Sequence, residues 1–359
     1  MNVSGIEQIV EGIQGIDPGW IEKASERTRQ LAIPPRALGR LHDIAERCCA
    51  IQQTLKPEVG SKSVIVMAGD HGVAVEGVSA FPQEVTGAMV QNFLAGGAGI
   101  NAIARHVDAR VWVVDMGMIP VVDPLTVAGG ERFKVRKVGK GTASFTKGPA
   151  MSRAQAEQAI MTGFKLAAEQ FEAGVNIMGT GDMGIANTTP SAAIGAIVTG
   201  AGLDDMVGRG TGVDDRGLAR KKRVIADGLE INRPDPADGV DILAKVGGFE
   251  IGGIAGLILA AAHYRHPVVI DGFISTAGAL IARTIAPRVT EYIFAGHQSE
   301  EPGHGIMLRH LGLSPILDLG MRLGEGTGGA MAMCVIEGAV KVFNEVLTFE
   351  EAGVPEKSD

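Results

Sequence analysis

A chain of 359 residues holds about two domains of ordinary size, and its 45% apolar and 21% charged residues exclude a disordered protein. Glycine reaches 51 residues without a G-X-Y period, about twice the usual share of roughly 7%, which excludes collagen and predicts tight turns and close approaches of backbone to ligand. A formal net charge of −8 and 4% aromatics argue against a nucleic-acid or anionic-membrane partner, and leave room for one small phosphorylated ligand.

Residues 1–60 are charged and periodic. Ile21–Arg27 and Leu38–Leu55 read as amphipathic helices, broken by Pro34 and Pro35. The first twenty residues have neither a basic nor an apolar signal region. The most apolar stretch, Ile251–Ala262, falls short of the ~20 residues that span a bilayer. Three cysteines, Cys48 and Cys49 adjacent and Cys334 remote, make neither a disulfide framework nor a zinc ligand set. A soluble, cytoplasmic protein is expected.

From Ser61 the pattern changes. Short apolar, mostly β-branched runs end in Gly or Asp: Val64–Met67, Val111–Val114, Val175–Met178, Val268–Ile270 and Tyr292–Phe294, with Ile316-Leu317 a weaker sixth. Between them lie alanine-rich segments that read as helices: Gln83–Phe93, Gly99–Arg105, Ser152–Glu172, Ser191–Thr199, Gly253–His263 and Ala277–Ala286, followed by Gly328–Val346. Continuous apolar strands alternating with helices predict an α/β fold with a parallel sheet covered on both faces. The tail, 347–359, is polar and expected to fray.

The strand exits share a composition: Gly69-Asp70-His71, Asp115-Met116-Gly117, Gly179 to Asp182, Asp271-Gly272 and Gly296-His297. Singly, each is ordinary turn chemistry. Together they point to one composite site, because ligands of open α/β sheets bind beyond the carboxyl ends of the strands.

Four segments carry candidate chemistry. Gly179-Thr180-Gly181-Asp182-Met183-Gly184 is formally G-x-G-x-x-G after a strand. A dinucleotide site would also need a second strand ending in an acid, and Val198–Leu203, before Asp204 and Asp205, is no strand. A mononucleotide phosphate, held by glycine N–H groups and the following helix N-terminus, is the better reading. Asn187-Thr188-Thr189-Pro190 supplies cap chemistry for that helix. Gly208–Asp215 resembles an acidic pyrophosphate loop poorly, since no apolar strand precedes Asp214 and Asp215. The basic run Arg220–Arg223 reads as a solvated helix face from which one lysine can reach a phosphate. His297 and His304, seven apart, match no helical metal-ligand spacing and read as part of a polar, substrate-lining loop. In Leu323–Gly329 a lone Glu325 sits between glycines just before a helix. The residues alone leave it equally open as a general base or as a solvated cap. As a base it would need burial to raise its pKa against the lowering effect of a helix N-terminus.

The runs AGDHGVAVEGV (68–78), FPQEVT (81–86), GDMGIANTTP (181–190) and LDLGMRLGEGTG (317–328) together resemble one family, the nicotinate-nucleotide–dimethylbenzimidazole phosphoribosyltransferases, CobT-type enzymes of cobalamin synthesis. The resemblance covers about residues 5–347. It implies transfer of ribose 5-phosphate from nicotinate mononucleotide to 5,6-dimethylbenzimidazole, giving α-ribazole 5′-phosphate and nicotinate, without cofactor or metal. It further implies a Rossmann-like three-layer α/β/α domain (61–327), a smaller helical domain from the chain ends (1–60, with helix 328–346 packing near it), and a homodimer. By the same resemblance Glu325 is the general base and Asp182 a second catalytic carboxylate. Gly181, Gly184, Asn187, Lys221 and Ser299 lie at the phosphate and ribose, and Phe81, Met89 and Leu323 around the base. Many members carry Glu, Gln and a polar residue where this chain has Asp182, Met89 and Phe81, so the acceptor is expected to be dimethylbenzimidazole or a related flat base.

Overall fold

Residues Lys62–Gly69 (β1) are buried at every position, as suits a strand covered by helices on both faces. The computed structural model, which describes residues 3, 5–127 and 129–355, places β1 inside a six-stranded sheet. Its other members are Ala109–Gly117 (β2), Phe133–Val135 (β3), Ile177–Met183 (β4), Val268–Ile270 (β5) and Ile293–Ala295 (β6). The order is β3-β2-β1-β4-β5-β6 and every pairing is parallel. This is the doubly wound arrangement, with its switch point between β1 and β4. His297–Ser299 (β7) and Leu317–Met321 (β8) form a separate parallel pair. The fold is the expected Rossmann-like α/β architecture.

Helix Phe249–His263 is buried at all but its last residue, as an all-round apolar helix must be. It packs backbone to backbone against helix Arg153–Glu172. A Cβ on Gly256 would stand 2.0 Å from the carbonyl oxygen of Ile160, and one on Gly163 would stand 1.9 Å from that of Gly253, so larger residues would force the pair apart. Helix Thr327–Glu345 packs on β4 and β5 and also meets helices Gly99–His106 and Arg40–Gln52, bringing the two chain ends together. Helix Pro18–Gln30 opens with Pro at its first turn and Asp17 accepting from the Gly19 N–H at 2.9 Å, the usual start chemistry.

The strands run further than their apolar cores. β1 continues to Gly69, β2 to Gly117 and β4 through Gly179, Gly181 and Asp182. Val175 precedes β4 rather than opening it, and Tyr292 closes a 3-10 turn, its hydroxyl donating to the Gln14 carbonyl at 2.7 Å. Helix Thr188–Thr199 starts three residues ahead of the expected Ser191, helix Asp215–Asn232 contains the helix face read at Arg220–Arg223, and helices Gly239–Val246 and Pro302–Leu311 fill segments left unassigned or read as loop. At the tail, Leu31 and Thr348 form an antiparallel bridge and Phe349–Ala352 is a capped helical turn. Residues 356–359 of the expected frayed tail lie outside the described residues. Among the described residues no helix is long and apolar enough to cross a membrane.

Candidate active site

Beyond the carboxyl ends of β4 and β5 lies a cavity of about 430 Å³. Of the residues singled out from the sequence, Phe81, Met89, Asp182, Gly184, Asn187, Ser299, Leu323 and Glu325 line it. Gly181 and Lys221 do not. Gly181 lies within β4, in register with Val66, and a Cβ there would stand 2.6 Å from the Glu325 carbonyl oxygen. Its task is to let the Glu325 loop approach the sheet, which corrects the reading of Gly179 and Gly181 as a phosphate loop. Only Gly184 lies past the strand. Lys221 sits one layer behind the wall. Its ammonium donates to Thr188 Oγ1 at 2.7 Å and to the Gly208 carbonyl at 3.3 Å, and Thr188 and Gly210 are the wall itself. The basic run is therefore not all solvated: Lys221 shares the buried face of its helix with Gly217, Val224, Ile225 and Gly228, at i−4, i+3, i+4 and i+7. Burial pulls the Lys221 pKa down to about 8, against a smaller opposing pull from Glu301.

Glu325 is held in an unusual conformation. Gly324, Glu325 and Gly326 have φ of +83°, +65° and +91°. Glycine takes this region freely, while a side-chain-bearing residue costs about 1–2 kcal/mol there. Two anchors fix the loop. Asp271, at the end of β5, accepts from the N–H groups of Gly326 (3.1 Å), Gly328 (2.7 Å) and Gly329 (3.0 Å), occupying the N-terminus of helix Thr327–Glu345. Glu325 Oε2 instead accepts from the Ile100 N–H at 3.0 Å, in the first turn of helix Gly99–His106. The helix terminus that favours the anion is thus a different helix from the one that follows Glu325 in sequence. Burial outweighs the N–H groups of Ile100 and Gly99, Asp271 adds repulsion, and the Glu325 pKa is raised.

Asp182, next to last in β4, accepts from Asn187 Nδ2 at 2.9 Å. Burial, with the negative charges of Asp271, Glu250 and Glu325 behind it, pushes its pKa up to about 8. The mouth near Glu325 is apolar except for the exposed Arg322 beside Leu323. Phe81 is 51% and Leu323 60% exposed, with Val85, Met89, Phe273 and Ile274 deeper in the lining.

The five strand exits do not converge. Those of β4, β5 and β6 reach the cavity through Asp182, Gly272 and His297. Asp70 is occupied with the Ile119 N–H (2.7 Å), and Asp115 with the Met118 N–H (2.8 Å) and Lys137 (2.8 Å). His71 Nε2 lies 2.7 Å from Glu250 in a buried pair. The segment from His297 to His304 is not one loop. His297 opens β7, while His304 is fully buried on helix Pro302–Leu311. His304 Nδ1 accepts from the Ser299 N–H at 2.8 Å and its Nε2–H donates to Thr276 Oγ1 at 2.9 Å. Desolvation takes its pKa down to about 3, so it is a neutral strut for Ser299. Among the described residues no group of three or more His, Cys, Asp or Glu is placed to hold a metal ion.

Sequence reasoning missed several wall residues. Thr211, Glu301 and Arg322 lie in or beside glycine-rich stretches that carry no apolar period, and Phe273 and Ile274 open a helix expected to start only at Ala277.

A family model described as Phosphoribosyltransferase matches residues 13–354. The nicotinate-nucleotide–dimethylbenzimidazole phosphoribosyltransferase of Geotalea uraniireducens is 52% identical to this chain over 98% of each sequence. That of Geobacter sulfurreducens is 53% identical over 95% of this chain and 96% of its own. Among solved structures, the Thermus thermophilus enzyme of the same name superposes with a TM-score of 0.88 at 43% identity, covering 95% of this chain and 100% of that one.

Proposed function

The chain belongs to the nicotinate-nucleotide–dimethylbenzimidazole phosphoribosyltransferase family, and from that premise we propose how its cavity moves ribose 5-phosphate from nicotinate mononucleotide to 5,6-dimethylbenzimidazole or a close relative. The products are nicotinate and α-ribazole 5′-phosphate, a building block of the cobalamin nucleotide loop. The observation that carries the mechanism is Glu325: a buried carboxylate with a raised pKa, clamped at a helix N-terminus in the apolar end of the cavity.

The pyridinium nitrogen of the donor already carries positive charge. Breaking its bond to C1′ releases a neutral pyridine, so the leaving group needs no acid. Positive charge grows on the ribose instead. Burial and the neighbouring carboxylates shift Asp182 towards its protonated form, and a bound pyridinium favours its ionised form. The compensating charge therefore develops when the cation that needs it is present. One nitrogen of the benzimidazole attacks C1′ from the opposite face, converting β to α. Its other nitrogen carries the proton that must leave, and Glu325 takes it. Phe81, Met89 and Leu323 clamp the flat ring, and holding both rings and the sugar in line supplies much of the remaining acceleration.

The polar end suits the phosphate. Gly184, Asn187, the first turn of helix Thr188–Thr199 and Ser299 offer donors, with Lys221 behind Thr188. Lys221→Ala is expected to raise the donor KM by about tenfold or more with a much smaller change in acceptor KM. Steady-state kinetics with each substrate varied separately will show it, and equal changes in both would contradict a phosphate role. A homodimer in the cytoplasm is the working form this reading supports. Ile119, Val121 and Leu125 are exposed apolar side chains within one short segment, and free cysteines suit a reducing compartment.

The test of the reaction is release of free nicotinate, read by chromatography, from nicotinate mononucleotide mixed with the protein and a panel of bases. Base-dependent release is expected. Binding of the base without release would mark a protein that only carries or senses it.

A further inference from the structure

We infer that Arg322 grips the pyridine carboxylate of the donor and so sets the preference for nicotinate over nicotinamide nucleotides, an inference that rests on the transfer reaction proposed above. The donor carries two anionic groups at opposite ends, a phosphate on C5′ and a carboxylate on the pyridine ring. The cavity has two cations to meet them. Lys221 lies behind the polar wall and is already bonded to Thr188 and Gly208. Arg322 lies in the lining itself, just past β8 and beside Leu323. It is exposed and makes no hydrogen bond or ion pair with any described residue.

That idleness has a cause among so many carboxylates. Glu325, three residues on, is turned away to the Ile100 N–H, Glu301 accepts from the Gly210 N–H at 2.9 Å, and Asp182 is held by Asn187. Each acid has one oxygen engaged by a neutral donor, the second oxygen of Glu301 is buried without a partner, and none pairs with the guanidinium, which stays free for an incoming anion. Its planar fork matches a carboxylate through two parallel N–H···O bonds. A carboxamide offers one oxygen, and its own N–H groups face the N–H groups of the arginine, so a nicotinamide nucleotide loses the charge and half the fork.

The experiment compares nicotinate mononucleotide with nicotinamide mononucleotide as donors for the full-length wild type, Arg322→Lys and Arg322→Gln. The wild type is expected to favour the nicotinate donor by tens of fold in kcat/KM, the size of one charge-assisted contact. Arg322→Gln should bring the ratio close to one through loss on the nicotinate donor, and Arg322→Lys should fall between. Direct titration of free nicotinate and nicotinamide gives a readout that needs no turnover. Arg322→Gln should weaken nicotinate binding and leave nicotinamide binding little changed. An unaltered donor ratio, or equal losses on both donors, would overturn the inference, the latter assigning Arg322 to the phosphate or to the fold. A wild type that binds nicotinate through Arg322 but transfers nothing would sink the proposed reaction and leave the carboxylate contact standing.

Discussion

Glu325→Gln is expected to lower kcat by about 10²–10⁴-fold, the usual contribution of a positioned general base, with acceptor KM changed by no more than a few fold. Glutamine keeps the length of the side chain and can still accept the Ile100 N–H that holds Oε2, so the loop and the apolar ring site survive. What is lost is a group that can receive the benzimidazole proton. The pH profile provides a second signature. The base works only when ionised, and burial raises its pKa above the ordinary glutamate value. The wild-type rate should therefore fall as pH drops through a point above the ordinary glutamate range, and that limb should be missing from the residual activity of Glu325→Gln. Unimpaired turnover in the variant would remove Glu325 from the chemistry.

Asp182→Asn is expected to make the protein more stable while abolishing efficient transfer. The folded-state pKa of Asp182 is raised to about 8, against ~3.9 in an unfolded chain. The native state therefore favours the protonated form, and that advantage is complete below the unfolded pKa and is lost as pH rises through about 8. At neutral pH the unfolded chain can ionise this group more readily than the folded one, which costs the fold on the order of 4 kcal/mol. Asparagine avoids that cost and still offers an oxygen to Asn187 Nδ2, 2.9 Å away. Urea unfolding of wild type and variant should differ by about that amount at pH 8 and converge towards pH 4. A variant no more stable than wild type at pH 8 would show that the carboxylate is better solvated or better paired than its surroundings imply.

The sheet was legible because its strands are two-faced. Val64–Met67 and Val268–Ile270 are continuous apolar runs, and nothing but a covered strand suits them in a chain that alternates with alanine-rich helices. What could not be read was where strands end. Gly179, Thr180, Gly181 and Asp182 carry no apolar signal, yet they extend β4 because helix Thr327–Glu345 packs on that strand and the Glu325 loop presses against it. Phe133–Val135 is too short to announce itself, and the glycines at 303 and 305 disguise helix Pro302–Leu311.

The site divides in the same way. Motif resemblance brought out Glu325, Asp182 and the cavity-lining Phe81 and Leu323, all local features of short runs. Contacts between distant segments stayed hidden. Asp271 lies 55 to 58 residues from its three N–H partners. Lys221 lies 33 residues from Thr188, Glu301 lies 91 from Gly210, and Glu325 lies 225 from the Ile100 N–H that donates to it. Composition overstated convergence at the strand exits, because Asp70 and Asp115 satisfy backbone N–H groups of the loop after β2, as Asp does in any turn.

The most direct measurement is a crystal structure of the protein soaked with 5,6-dimethylbenzimidazole. The ring should lie between Phe81, Met89 and Leu323, with one nitrogen within about 2.6–3.2 Å of the Glu325 carboxylate. A ring bound elsewhere, or one in the cavity with both nitrogens turned away from Glu325, would contradict the account.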